Sequence, residues 1–207
     1  MGMTCTLCRA TEADIARLRK APEDVHEFLF PEASTPPLVN APPLPGLAGW
    51  IMRLFPITVK QNDPNWVPPE HPARADDRQL DLDKGWHGLH FLFTGTAWEG
   101  EEPGCFLVAG GEDIGDDEAD SQPRVLDANQ VRRFSEFLAG LSTEELQRRF
   151  DPARMTSLEI YPERIWKCDP AARRESEFEH LRQAYGDLRT FVGAAAEQGD
   201  AIIVSLS

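Results

Sequence analysis

Two histidines three residues apart, His87 and His90, are the first side chains in this sequence with spacing suited to chemistry. An H-x-x-H pair puts both rings near one side of a helix, and a metal ion there would need a further ligand, His71 or a carboxylate. The zincin order H-E-x-x-H is absent, so we assign no metal and no cofactor. His90 is instead a candidate acid or base, with Glu159 and Tyr161 as its partners. Two residues apart on an expected strand, those two side chains share a face. The competing reading makes His90 a neutral, hydrogen-bonded core residue, because Phe91 and Phe93 stand beside it. Cys5 and Cys8 form a lone C-x-x-C. On a strand, residues three apart point to opposite faces and cannot share an ion, so both read as reduced thiols.

A second group of chemistry-bearing residues is acidic. Nine carboxylates fall between Glu99 and Asp120 with no Lys or Arg among them, and they account for most of a net charge of −14. Glu112, Asp113 and Asp117 are the candidate binding residues of this run. The calcium-loop order D-x-[DN]-x-[DN]-G is not met, since Gly115 comes too early. Nor does the sequence contain G-x-S-x-G, G-x-x-x-x-G-K-[ST] or G-x-G-x-x-G. A pI near 4.7 argues against nucleic acid or an anionic membrane as partner, because both repel the same sign of charge. A basic protein or a small molecule remains. The start lacks a basic n-region followed by an apolar core, so the expected location is the cytoplasm.

The elements that must position these residues follow from periodicity and capping. Residues 2–9 read as a strand, and Thr11 with Asp14 opens a helix over 11–20. A short helix follows at 23–29. Eleven of the 17 prolines lie in residues 31–72, so that segment is an insertion without long regular elements. Within it Leu47, Trp50, Ile51 and Leu54 have helical spacing. Leu82, Trp86, Leu89 and Phe93 form the stripe of a helix over 82–93, with Asp81 or Asp83 at its start as a cap. Cys105–Ala109 reads as a buried strand bounded by glycines. Asp127 caps a helix that faces inward with Val131, Phe134, Leu138 and Leu141. Ser142 with Glu145 starts another, and Asp151-Pro152 a third. Ser157–Tyr161 reads as a strand, 175–198 as the longest helix, Gly199 as its C-cap and Ala201–Leu206 as a terminal strand. The expected architecture is α/β: a mixed sheet covered by helices, one domain over 1–207 with 31–72 inserted.

The run Leu80-Asp81-Leu82-Asp83-Lys84-Gly85-Trp86-His87-Gly88-Leu89-His90-Phe91, closed by Thr94-Gly95, resembles the signature of the YfbM-like family, a bacterial domain of unknown function. Met1-Gly2-Met3 and Leu158-Glu159-Ile160-Tyr161-Pro162 fit the same family. The resemblance implies a compact α/β domain and implies no activity. It adds Lys84, Trp86 and Thr94 to Asp81 and Asp83 as motif residues that could bind. The leading expectation is a non-catalytic binding module for a protein partner, of the kind that neutralises a basic protein. The alternative is a small-molecule hydrolase built on His90, Glu159 and Tyr161.

Overall fold

Thr11 and Asp14 bond reciprocally at the first helix, as their spacing predicts. The Asp14 N–H donates to Thr11 Oγ1 (3.2 Å) and the Thr11 N–H donates to Asp14 Oδ2 (3.0 Å). The same device recurs at Asp127 with Gln130, and Ser142 accepts from the Glu145 N–H. Asp151 accepts from the N–H groups of Ala153 and Arg154, with Pro152 at the first helical position. Local chemistry thus fixes four helix starts.

The computed structural model describes residues 3–31, 78–115, 122–166 and 170–207, with side chains in the last stretch described from Glu175. Contacts divide the chain into two units, Met1–Leu29 with Asp76–Ser207, and Phe30–Ala75. The helix expected at Leu47–Leu54 lies outside the described residues. In order, the elements are β1 (Cys5–Ala10), α1 (Glu12–Leu18), a 3-10 turn (Pro22–Asp24), α2 (Val25–Leu29), β2 (Gln79–Asp81) and α3 (Gly85–Thr94). Then come β3 (Glu112–Asp113), β4 (Arg124–Leu126), α4 (Ala128–Gly140), α5 (Thr143–Arg149), α6 (Pro152–Ser157), α7 (Glu163–Trp166), α8 (Pro170–Gln198) and β5 (Ala201–Leu206).

The sheet runs β2-β1-β5-β4-β3 and every pairing in it is antiparallel, with Leu7 opposite Val204 and Val125 opposite Ile203. Helices cover both faces, which is why β1 and β5 are buried along almost their whole length. Alternation then divides the strand residues. Cys5, Leu7, Leu126, Ile202 and Val204 join the larger core with α3, α4 and α8. Cys8, Ala10, Val125, Ala201 and Ile203 join the smaller one with α1 and α2. Cys5 and Cys8 therefore lie on opposite faces, as three-residue spacing requires. Burial pushes the Cys5 thiol up to about 12, which makes it inert as a nucleophile near neutral pH.

Two expected strands are not strands. Cys105–Ala109 is a succession of turns, with the Ala109 N–H donating to Cys105 O (2.8 Å), and Arg124 reaches over it to Leu107 O (3.0 Å) and Gly110 O (2.8 Å). A five-residue apolar run shows burial without showing period, so it fits a buried turn as well as a buried strand. Ser157 ends α6, and the chain then turns through Glu159 at φ 55° instead of extending to Tyr161. The helix expected from Leu82 begins at Gly85, and Lys84 at its N-cap makes no side-chain capping bond. Asp81 instead accepts the Asp83 N–H (2.8 Å) and holds the turn before the helix, with Asp83 at φ 46°. Gly88 lets α3 approach α8 closely, since a Cβ there would lie 2.8 Å from Leu181 Cδ2.

Candidate functional site

The motif residues converge on α3, whose positions 85–93 are all buried. Its carbonyl end is held by two arginines from neighbouring helices. Arg149 donates to Leu92 O and Phe93 O (3.1 Å each) and Arg154 to Gly95 O (2.9 Å), so cations meet the negative end of the helix dipole. This fixes the register of Trp86, His87, His90 and Thr94 against the loop 95–101.

Trp86 is fully enclosed, and its indole N–H donates to Met3 O (3.3 Å). The His87 ring stacks on it at 4.7 Å and 9° between planes. His87 Nδ1 accepts the Tyr161 N–H (2.9 Å), which leaves Nε2 to carry the proton and donate it to Ala97 O (2.7 Å). One tautomer is thereby specified, and burial lowers the pKa of this ring. His87 is a neutral clamp between two loops.

His90 has no solvent exposure. Its Nε2 lies 3.4 Å from Thr94 Oγ1, whose hydroxyl donates to His90 O (2.9 Å). Nδ1 has no hydrogen-bond partner among the described residues. Burial first and the neighbouring His87 second bring the pKa of His90 down to about 4, against a smaller opposing effect of Glu99. A base that weak, sealed from solvent, abstracts protons poorly near neutral pH.

Among the described residues no hydrogen bond joins His90 to Glu159 or Tyr161. The Tyr161 backbone meets His87, its ring lies 6.4 Å from Trp86, and Glu159 is exposed. The shared-face argument for Glu159 and Tyr161 needed a strand, and the turn at Glu159 removes it. Thr94 is spent on the end of α3, where it also accepts the Thr96 N–H (3.2 Å). Lys84, Asp81 and Asp83 are exposed beside the start of α3.

Glu112 and Asp113 are exposed, and Glu112 pairs with Arg19 (2.5 Å). Asp117 and His71 lie outside the described residues. Among the described residues no three His, Cys, Asp or Glu side chains are grouped to hold a metal ion, and no helix is long and apolar enough to cross a membrane.

The residue that sequence reasoning missed is Trp98. It is 51% exposed, the largest exposure of any large apolar side chain described, and its ring packs 4.5 Å from His87 and 5.9 Å from Trp86. The signal available was its setting: a lone tryptophan in the polar run Thr94-Gly95-Thr96-Ala97-Trp98-Glu99-Gly100-Glu101-Glu102, with no periodicity to bury it.

Fold and motif together define a helix-covered antiparallel sheet with a buried Trp–His stack at the start of its central helix. Residues 1–205 match the family model described as a domain of unknown function (DUF1877), and the chain belongs to that family. It is similar to a solved structure titled a protein of unknown function, YfbM, from Escherichia coli, at 18% identity over 99% of each chain with a TM-score of 0.63. At that identity the likeness concerns the fold, and it agrees with the resemblance carried by the central motif. No curated protein matches.

Proposed function

We propose that this chain is a bacterial, cytoplasmic, non-catalytic binding module that engages a basic protein partner, as immunity-type proteins do. One observation carries the reading. Both histidine rings of the motif are enclosed, the two nitrogens of His87 on backbone groups and His90 without solvent exposure, whereas carboxylates of the run that follows them in sequence are exposed. Glu99, Glu101, Glu102, Glu112 and Asp113 are all exposed. Of these, Glu99, Glu101 and Asp113 have no ion-pair partner among the described residues. Unpaired surface carboxylates steer and select a positively charged protein and disfavour nucleic acid and anionic lipid. A cytoplasmic setting suits the thiols of Cys5 and Cys105, free and buried. The small-molecule hydrolase alternative lacks a bond linking His90 to Glu159 or Tyr161.

The test is retention from native lysate on immobilised protein, comparing wild type with the triple variant Glu112→Lys, Asp113→Lys, Asp117→Lys. The reading expects a basic protein held by wild type and lost on reversal. Retention of nothing, or equal retention by both, contradicts it.

A further inference from the structure

We propose that Trp98 is the recognition face of this module, an indole platform that receives an arginine side chain of the basic partner, with Glu99 and Glu101 beside it as counter-charges. The proposal rests on the protein-partner reading above and deepens it by naming the contact.

Trp98 is exposed yet held. On its N-terminal side Gly95 takes the left-handed turn at φ 76°, with its N–H on Phe91 O (2.7 Å) and its carbonyl on Arg154. Thr96 is tied to Thr94 and, through its hydroxyl, to Glu99 O. Ala97 O is bound by His87, and Glu101 O accepts the Cys105 N–H (3.3 Å). The inner side of the indole rests on the stacked pair Trp86–His87, whose own geometry is fixed by bonds to Met3, Ala97 and Tyr161. The platform is therefore organised before any ligand arrives, which cuts the ordering cost of binding.

Its chemistry selects a cation. An indole face attracts a guanidinium through the ring quadrupole, and tryptophan does so best of the aromatic side chains. Nothing cationic competes from behind, because His87 is held neutral by accepting at Nδ1. The protein already sets arginines over rings, Arg17 and Arg78 on Phe28 and Arg154 on Phe91, but among the described residues no cation covers Trp98. Glu99, next to Trp98 in sequence, and Glu101, three positions on, are exposed and lack ion-pair partners among the described residues, so their charges are uncompensated. Arginine satisfies both at once, its planar fork stacking on the ring while its edge meets a carboxylate.

The experiment titrates the full chain with an acetylated, amidated Arg-Gly-Arg-Gly-Arg peptide at low ionic strength, with the citrulline and lysine analogues in parallel. Wild type is expected to bind the arginine peptide more tightly than the lysine peptide, and the citrulline peptide far more weakly than either. Trp98→Ala is expected to weaken arginine-peptide binding by about 5–10-fold, within the range of a partly desolvated cation–π contact, and Trp98→Phe to keep part of it. Glu99→Gln with Glu101→Gln is expected to weaken it as well. Circular dichroism of Trp98→Ala matching wild type confirms that the fold persists; if it does not match, the Trp98→Phe and glutamine variants decide the outcome. Citrulline binding equal to arginine binding overturns the proposal, since it marks a neutral stacking surface such as one for sugar rings. Equal binding by wild type, Trp98→Ala and Trp98→Phe overturns it too. In that last case lysate retention that still depends on Glu112, Asp113 and Asp117 leaves the partner reading standing, so the two failures separate.

Discussion

His87 and His90 explain themselves through burial. Each is neutral in the folded chain, and unfolding returns each to an ordinary imidazole that takes up a proton below pH ~6.5. The unfolded state then binds more protons than the native state, so stability must fall as pH drops from ~6.5 to ~4. Below that, His90 protonates in both states and its contribution levels off. With a folded value of about 4, the His90 part amounts to about 3 kcal/mol over that window. Urea midpoints between pH 7 and pH 5 report the two buried histidines together, since carboxylates titrate mainly below that range, and the difference between wild type and His90→Asn gives the His90 part. A flat wild-type profile would contradict the buried assignment, and His90→Asn should make the slope shallower while His87 keeps part of it. Trp86 makes a separate prediction. It has no exposed surface and stacks on His87, so Trp86→Ala should cost about 3–5 kcal/mol by denaturant unfolding. An unchanged midpoint would place it outside the core.

At the scale of elements, what could be read from the sequence was what depends on neighbours in sequence. The Thr11–Asp14 and Asp127–Gln130 boxes, the Ser142 and Asp151 caps and the Gly199 turn at φ 72° involve residues two to four apart, so type and spacing suffice. β3 and β4 are two and three residues long, too short to show alternation, and they exist because β4 pairs with the edge of β5 and β3 with the edge of β4. Gly111 belongs to the same long-range class. It has φ 83°, and a Cβ there would lie 2.5 Å from Val125 O on β4. Gly111→Ala should therefore lower stability by roughly 1–3 kcal/mol, read as a shift in melting midpoint. Gly140→Ala, where a Cβ meets nothing within 4 Å, is the neutral control. The candidate site was legible in part for the same reason. α3 and its buried stripe show in the sequence, but the tilted His87–Trp98 ring contact is made by a loop folding back, and the bond from the Tyr161 backbone comes from a different turn.

At the scale of the molecule, charge decides what can approach. Much of the net −14 lies between the central helix and β4, in a run where exposed Glu99, Glu101 and Asp113 lack ion-pair partners among the described residues. Such a surface gives association that weakens with salt over a Debye length of about 10 Å at 0.1 M. The measurement that bears most directly on the central claim is retention of a basic protein from native lysate, repeated at low and high salt for wild type and for the Glu112, Asp113, Asp117 reversal. A basic protein held by wild type at low salt, released by salt and absent from the reversal is the predicted result. Retention that ignores both salt and reversal would contradict the account.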